Sequence, residues 1–204
     1  MLGWGVVTAA AAPILLVTGW TIAARLQPEG FDSVTQTISA LAAEDASHRW
    51  VMTTAILGTG VAQIATAVAL RPAERRGRVL LAAGGVCTLL VGLFPLPAGD
   101  GESTAHAIAA AGSFGLLAVW PLLSWQRGSG VPWGVRRGVA ITAGCGLAIA
   151  TGLFFRDAVA GGANIGLTER AAAVLLNVWP VAVTVSAVAA TRATSSSSLL
   201  LKDE

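Results

Sequence analysis

The chain has 204 residues, of which 54% are hydrophobic and 12% charged, and a net charge of +2. Its mean hydropathy is +0.71. A soluble domain carries about 25% charged residues, and the apolar residues here run on without the polar interleaving of a core-facing helix, so a soluble domain is excluded.

Uncharged runs long enough to cross a bilayer, which takes about 20 residues of helix, fall at roughly 3–24, 50–70, 79–97, 104–125, 138–155 and 171–190. They predict an all-α bundle of six transmembrane helices in one domain, 1–192, followed by a short polar tail, 193–204. The short alternating strands of a membrane barrel are not found. The first run has no Lys or Arg before it and exceeds the usual length of a signal's apolar region, so it reads as a retained span.

After the first span comes the longest connection, 25–49, containing FDSVTQTISALAA. Ser33 and Gln36 have the spacing of a capping box, and Val34, Ile38 and Leu41 share a helical face opposite Thr35, Gln36, Thr37 and Ser39. A short amphipathic helix is predicted, serving either as an interfacial connector or as a lid over a site.

The second and sixth spans each hold a deep amide, Gln63 and Asn177. Asn177 stands three residues before Pro180, whose missing N–H loosens the helix there. The pair offers either a hydrogen bond between helices or the floor of a pocket. Cys87 and Cys145, in spans three and five, have no neighbouring Cys or His and read as small packing residues.

Span three closes through Gly92-Leu93-Phe94-Pro95, and His106 opens span four. A neutral imidazole there can act as a base or a donor, or it can satisfy itself against a loop carbonyl. The only other histidine is His48, and no ligand spacing links the two, so no metal and no cofactor are expected. Span five matches span three at an offset of 60, with Arg76/Arg136, Gly84/Gly144, Gly92/Gly152 and Phe94/Phe154 among the pairs. Rows of small residues let helices approach closely in lipid. Either spans 3–4 and 5–6 form a parallel hairpin repeat or the two helices share a packing habit. Both readings place spans three and five at the centre of the bundle, and a repeat would also set the outer loops after Phe94 and Phe154 facing one another.

Span six begins at Thr168-Glu169-Arg170. Thr168 as N-cap and Glu169 at the first helical position suit any helix start, but Arg170 does not, and Arg156 and Asp157 at the end of span five are available as partners. With His106, these four define a polar pocket beneath the headgroups. No Asp, Glu, Lys or Arg falls inside the six runs, which disfavours a pump, since ion-coupled transporters place ionisable groups near the midplane.

Nine basic residues (Arg71, Arg75, Arg76, Arg78, Arg127, Arg136, Arg137, Arg192 and Lys202) lie on the side of the termini and of the second and fourth connections. Only Arg25, Arg49, Arg156 and Arg170 lie on the other, with eight of the eleven acids: Glu29, Asp32, Glu44, Asp45, Asp100, Glu102, Asp157 and Glu169. The positive-inside rule makes the first side, and both termini, cytoplasmic. The asymmetry serves insertion and calls for no nucleic-acid partner. The use of Arg for all but one basic residue, with abundant Ala, Gly and Val, reads as a bacterial coding bias, hence a bacterial cytoplasmic membrane.

Ser39-Ala40-Leu41 after the first span, Gly92-Leu93-Phe94-Pro95 leading to His106, and Glu169-Arg170 at the sixth together resemble the bacterial membrane family catalogued as domain of unknown function 998. The similarity covers about residues 5–190, and it implies a six-helix bundle with no established activity. That family often reads Ser-Asp-Leu-Gly at the first motif. Ala40 and Ala42 stand here in the Asp and Gly positions, so any catalytic role of that Asp is missing from this chain.

The functional expectation is binding or processing of a lipid or isoprenoid-like amphiphile at the extracytoplasmic mouth. In its enzymatic form Glu169 is the acid or base and His106 its partner. Arg156, Asp157, Arg170, Ser39 and Asn177 would contact the ligand, the arginines holding an anionic headgroup. Two other classes compete: a non-catalytic scaffold or accessory subunit, with a membrane-protein partner or a homo-oligomer, and a small facilitator without ion coupling.

Overall fold

A computed structural model describes residues 3–28, 30–99, 101–128 and 130–200. Glu29, Asp100 and Lys202, which enter the charge asymmetry above, lie outside them. Six helices form: α1 Gly5–Arg25, α2 Trp50–Ala69, α3 Arg75–Leu93, α4 Thr104–Val119, α5 Arg137–Ala160 and α6 Ile165–Leu200. α4 is extended by a turn of 3₁₀ helix, Trp120–Leu123, which carries Pro121. Each of the six is long and apolar enough to cross a membrane, and among the described residues there is no strand, only one isolated bridge between Gln126 and Arg136. A helix is the expected outcome for such runs, because hydrocarbon offers no partner for backbone N–H and C=O groups. Val7, Ile14, Ile22, Val61, Val79, Ile108, Ile149 and Val185 all point outward and are exposed. A soluble monomer rarely shows so large an apolar surface; a bilayer covers it.

Helix ends follow local chemistry. α3 stops at Leu93 because Phe94, with ψ 77°, precedes Pro95, and a residue before proline is driven out of the helical region. α5 has no such stop. It runs through Phe154 to Ala160 and ends on Gly161, whose φ of 64° is the left-handed conformation that glycine adopts without a Cβ penalty. The loop expected after Phe154 therefore does not form there, and the likeness of spans three and five breaks at their ends. At the end of α2, the Arg78 guanidinium donates to the carbonyls of Ala67 (2.8 Å) and Val68 (3.1 Å), which the helix leaves without partners.

The helices pack in chain order as a ring, each against its sequence neighbours, and α1 closes the ring against α6. α2 and α6 are the most buried of the six. This corrects the expectation for α3 and α5: they sit apart, and their small residues seat neighbouring hairpin partners. A Cβ on Gly84 would meet Leu117 of α4 at 2.7 Å, one on Gly144 would strike Leu122, and one on Gly152 meets nothing. α2 and α3 approach backbone to backbone, where a Cβ on Gly85 would stand 2.9 Å from the carbonyl of Gly60. Cys87 lies at the α3–α4 contact beside Gly112 and Cys145 is exposed; both are free thiols.

The core falls into two clusters. One gathers Leu70, Leu81, Leu117, Trp120, Val135, Leu176 and Val183 toward the termini end. The other gathers Leu16, Ile38, Leu41, Met52, Ile56 and Ala173 toward the end carrying the α1–α2, α3–α4 and α5–α6 connections, hereafter the mouth. Phe114 packs against both.

The contact between α2 and α3 makes a clear prediction. Gly85→Ala should lower the thermal midpoint in detergent by several degrees, in line with the roughly 1–3 kcal/mol cost of overpacking. Gly152→Ala, with open space around the new methyl, should leave the midpoint unchanged or slightly raised. Equal behaviour of the two variants would mean that the helices do not approach so closely.

Candidate functional site

The mouth is closed by the connection between α1 and α2, and it does not form the amphipathic helix predicted for FDSVTQTISALAA. Asp32 rather than Ser33 organises its start: its carboxylate accepts the Val34 N–H at 2.8 Å, and its own N–H donates to the Gln36 side chain at 2.9 Å. Only Ser39–Ala42 becomes helical, as a 3₁₀ turn. The reason is competition for the backbone. Arg170 Nη1 of α6 donates to the carbonyls of Ser33 (2.7 Å) and Gln36 (2.8 Å), the Val34 carbonyl accepts the Leu167 N–H (3.1 Å), and the Ile38 N–H donates to Glu169. These partners replace the bonds that a helix would have made internally. Ile38, Leu41 and Ala42 are buried among α1, α2 and α6, so the segment plugs the mouth rather than lying on a surface.

The same contacts move the start of α6. Its first-turn N–H groups find partners in the α5–α6 turn and at Val34, so the helix begins at Ile165, not at 171. Thr168 is therefore not an N-cap, and Glu169 is not an end residue. Glu169 lies one turn inside the helix and is 4% exposed. The expectation that ionisable groups stay out of the helices is corrected too: α5 contains Arg156 and Asp157, and α6 contains Glu169 and Arg170. Gly166 lets segment 33–36 lie against α6, because a Cβ there would run into the carbonyls of Ser33 and Gln36.

His106 is placed from the other side. Ser103 is the N-cap of α4, its hydroxyl accepting the His106 N–H at 3.3 Å. The buried imidazole then spans two elements, with Nδ1 2.8 Å from the Phe94 carbonyl and Nε2 3.0 Å from the Ser39 hydroxyl. A carbonyl can only accept, so Nδ1 carries a proton, and in the tautomer protonated there alone Nε2 turns its lone pair toward Ser39. The Glu169 carboxyl group lies close to Ser39 in turn, near both its backbone N–H and its hydroxyl. The hydroxyl thus stands between an imidazole nitrogen and a carboxylate.

Below this group lies a cavity of about 60 Å³, lined by Ser39 and Glu169 at the mouth and by Gln63 and Asn177 at depth. Glu169 and Asn177 are eight residues apart on α6, or roughly 12 Å at 1.5 Å per residue. Its walls are mainly apolar, with Leu16, Ile56, Val91, Phe114 and Leu176 among them. At the floor, Gln63 Nε2 donates to Asn177 Oδ1 at 2.9 Å, which joins α2 to α6, while Gln63 Oε1 is buried without a partner. The two uses considered for these amides, helix bridge and pocket floor, coexist. Thr59, Thr88 and Ser113 also line the cavity. Sequence reasoning passed over them because hydroxyls in a small-residue helix look like packing groups.

The remaining candidates sit elsewhere. Arg156 and Asp157 pair with each other at 2.7 Å, the Arg156 side chain being 67% exposed, and Thr168 donates to Asp157 at 3.1 Å. This pair ties α5 to α6 and does not line the cavity. Arg170 lies over the Trp20 ring, 5.9 Å from its centroid, and one of its nitrogens is spent on three backbone carbonyls. The single pocket expected from five polar residues is thus divided, with His106 and Glu169 meeting at Ser39 and the arginines turned to other partners around it.

Ser39, Phe94, His106 and Glu169-Arg170 come from four separate stretches, and they are the residues on which the family resemblance rests. A family model described as "Protein of unknown function (DUF998)" matches residues 9–186. No curated protein and no solved structure matches the chain.

Replacing Glu169 by Leu leaves the buried N–H of Ile38 without an acceptor, at a cost of about 1–3 kcal/mol. Hydrogen exchange at the amides of 38–39 should therefore accelerate by roughly ten- to a hundredfold, with α2 and α3 unaffected. Unchanged exchange there would remove Glu169 as the clasp of the plug.

Proposed function

We propose that this chain, which belongs to the DUF998 family of proteins of unknown function, binds and processes an amphiphile whose polar group lies at Ser39, His106 and Glu169. The ligand's apolar chain follows the cavity toward Gln63 and Asn177. The observation that carries this reading is the meeting of a base, a hydroxyl and a buried carboxylate at the head of a mainly apolar cavity inside the helix ring. A small space whose lining extends over eight residues of α6, roughly 12 Å of helix, suits a chain or a short stretch of one better than a compact polar solute. Asn177 and the free acceptor of Gln63 provide recognition at its far end. Arg156, exposed at the rim, is the cation best placed to meet an anionic headgroup, with Asp157 holding the Arg156 and Thr168 side chains and Arg170 the loop carbonyls.

The positive-inside asymmetry supports a cytoplasmic location for the termini and an extracytoplasmic mouth in a bacterial cytoplasmic membrane. The scaffold reading keeps one favourable observation, the commitment of Arg170 and Asp157 to internal partners.

Lipid mass spectrometry separates the two. Wild type and a His106→Ala, Glu169→Gln double variant, purified in mild detergent, are compared for co-purifying lipid. A defined amphiphile enriched on the wild type and lost from an equally well-folded variant is expected. Bulk membrane lipid on both would favour the scaffold. Orientation has its own check: in a Cys-free background, a membrane-impermeant maleimide applied to intact cells should label Glu44→Cys and spare Arg127→Cys. The reverse pattern would turn the protein over.

A further inference from the structure

The hydroxyls that line the cavity are not alike. Thr59 donates back to the Ala55 carbonyl at 2.8 Å, and Thr88 to the Gly84 carbonyl at 3.0 Å; Ser113 pairs with Thr88 at 2.8 Å. These are bonds of ordinary helix side chains, and none faces a base. Ser39 opens the short 3₁₀ turn at the cavity's head, 3.0 Å from an imidazole nitrogen whose opposite nitrogen is anchored on the Phe94 carbonyl. That is the spatial signature of an activated nucleophile: a hydroxyl, a base within hydrogen-bond reach, and a third group orienting the base.

The surroundings also select the electrophile. No Lys or Arg lines the cavity, and Glu169 does. A phosphate diester would bring its negative charge beside a carboxylate, and the cation nearest to hand, Arg170, stands outside the lining and already acts on that carboxylate. A neutral carbonyl joined to an apolar chain meets neither objection.

We propose that Ser39 is the nucleophile of a serine esterase or acyltransferase site in which His106 is the base and the substrate is a carboxylic ester of an amphiphile, its acyl chain lying in the cavity. The inference rests on the amphiphile reading of the same cavity and goes beyond it by naming a covalent step. Ser39 Oγ forms a bond to the ester carbonyl carbon while its proton passes to His106 Nε2. The tetrahedral intermediate collapses, the bond from that carbon to the alcohol oxygen breaks, and the alcohol leaves with the proton from His106. Water, or a second alcohol, then attacks the acyl-Ser39 carbonyl, gives its proton to the same nitrogen and releases the acid or the new ester. The proton returns to Ser39, and nothing is oxidised or reduced. Glu169 is a positioning residue in this scheme. By accepting the N–H of Ile38 it holds the peptide that carries the nucleophile.

The test uses an alkyl fluorophosphonate on the full-length protein in detergent, with adducts located by peptide mass spectrometry. An adduct on Ser39 is expected, absent from Ser39→Ala and formed about a hundredfold or more slowly in His106→Ala, the usual size of a general-base contribution. A merely structural role for His106 would not give that rate loss in a variant with an unchanged thermal midpoint. Ser39→Cys, treated with iodoacetamide, reports access to the position. If Ser39→Cys is alkylated while wild-type Ser39 is never phosphonylated, the hydroxyl is reachable but not activated and the proposal fails. If neither reacts, no electrophile reaches the position and it fails as well. Selective retention of lipid by the same wild-type preparation would show in either case that the binding reading survives; its absence would remove both.

Discussion

A carboxylate taken out of water has to be met by donors or it forfeits several kcal/mol, and the architecture of the mouth follows from how Glu169 meets that demand. Its partners are not on its own helix. The first is the backbone N–H of Ile38, 131 positions earlier in the chain and bonded directly to Oε2, and Ser39 lies close beside it. Once that bond is made, the α1–α2 connection cannot lie on a membrane surface. It is drawn into the ring, its Leu41 and Ile38 pack between α1, α2 and α6, and Arg170 takes up the carbonyls left over on the other side. A charged pair on one turn of α6, Glu169 accepting and Arg170 donating, thus satisfies the backbone of a segment with almost no regular structure of its own.

Closing the mouth in this way also creates the space beneath it. Six helices packed in sequence order leave an interior that their side chains fill incompletely, and Phe114 packs against both hydrophobic clusters. The gap between them is where the polar side chains gather: Gln63 with Asn177, Thr88 with Ser113, and the Ser39–His106–Glu169 group above. In an apolar bundle each of these must find a partner, and most do. The exception, Gln63 Oε1, is the kind of buried acceptor that a ligand or a water completes.

How much of this was legible can be followed through particular residues. The six helices were, because an apolar run some twenty residues long has one way to satisfy its backbone in hydrocarbon. His106 at a helix start was legible from its place after Ser103, and the Gln63–Asn177 bridge was anticipated as one of two uses. The position of Glu169 was not. Thr168-Glu169 has the look of a helix start, and only the donor–acceptor exchange between Leu167 and Val34 shows that α6 begins a turn earlier and carries Glu169 inward. The central placing of α3 and α5 failed for a related reason: rows of small residues announce that something packs closely, but not which helix does.

What the sequence by itself determined is therefore what depends on near neighbours in the chain: span number and the transverse charge asymmetry. What only the tertiary structure decided is the identity of each group's partner. Arg156, Asp157, Arg170, His106 and Glu169 look equivalent as polar residues near helix ends, yet folding spends Arg156 on Asp157 and Arg170 on loop carbonyls, and it leaves His106 and Glu169 on either side of Ser39. The physical reason is that a buried polar group binds whichever complement the packing of distant segments brings within about 3 Å, and periodicity along one helix carries no record of that choice.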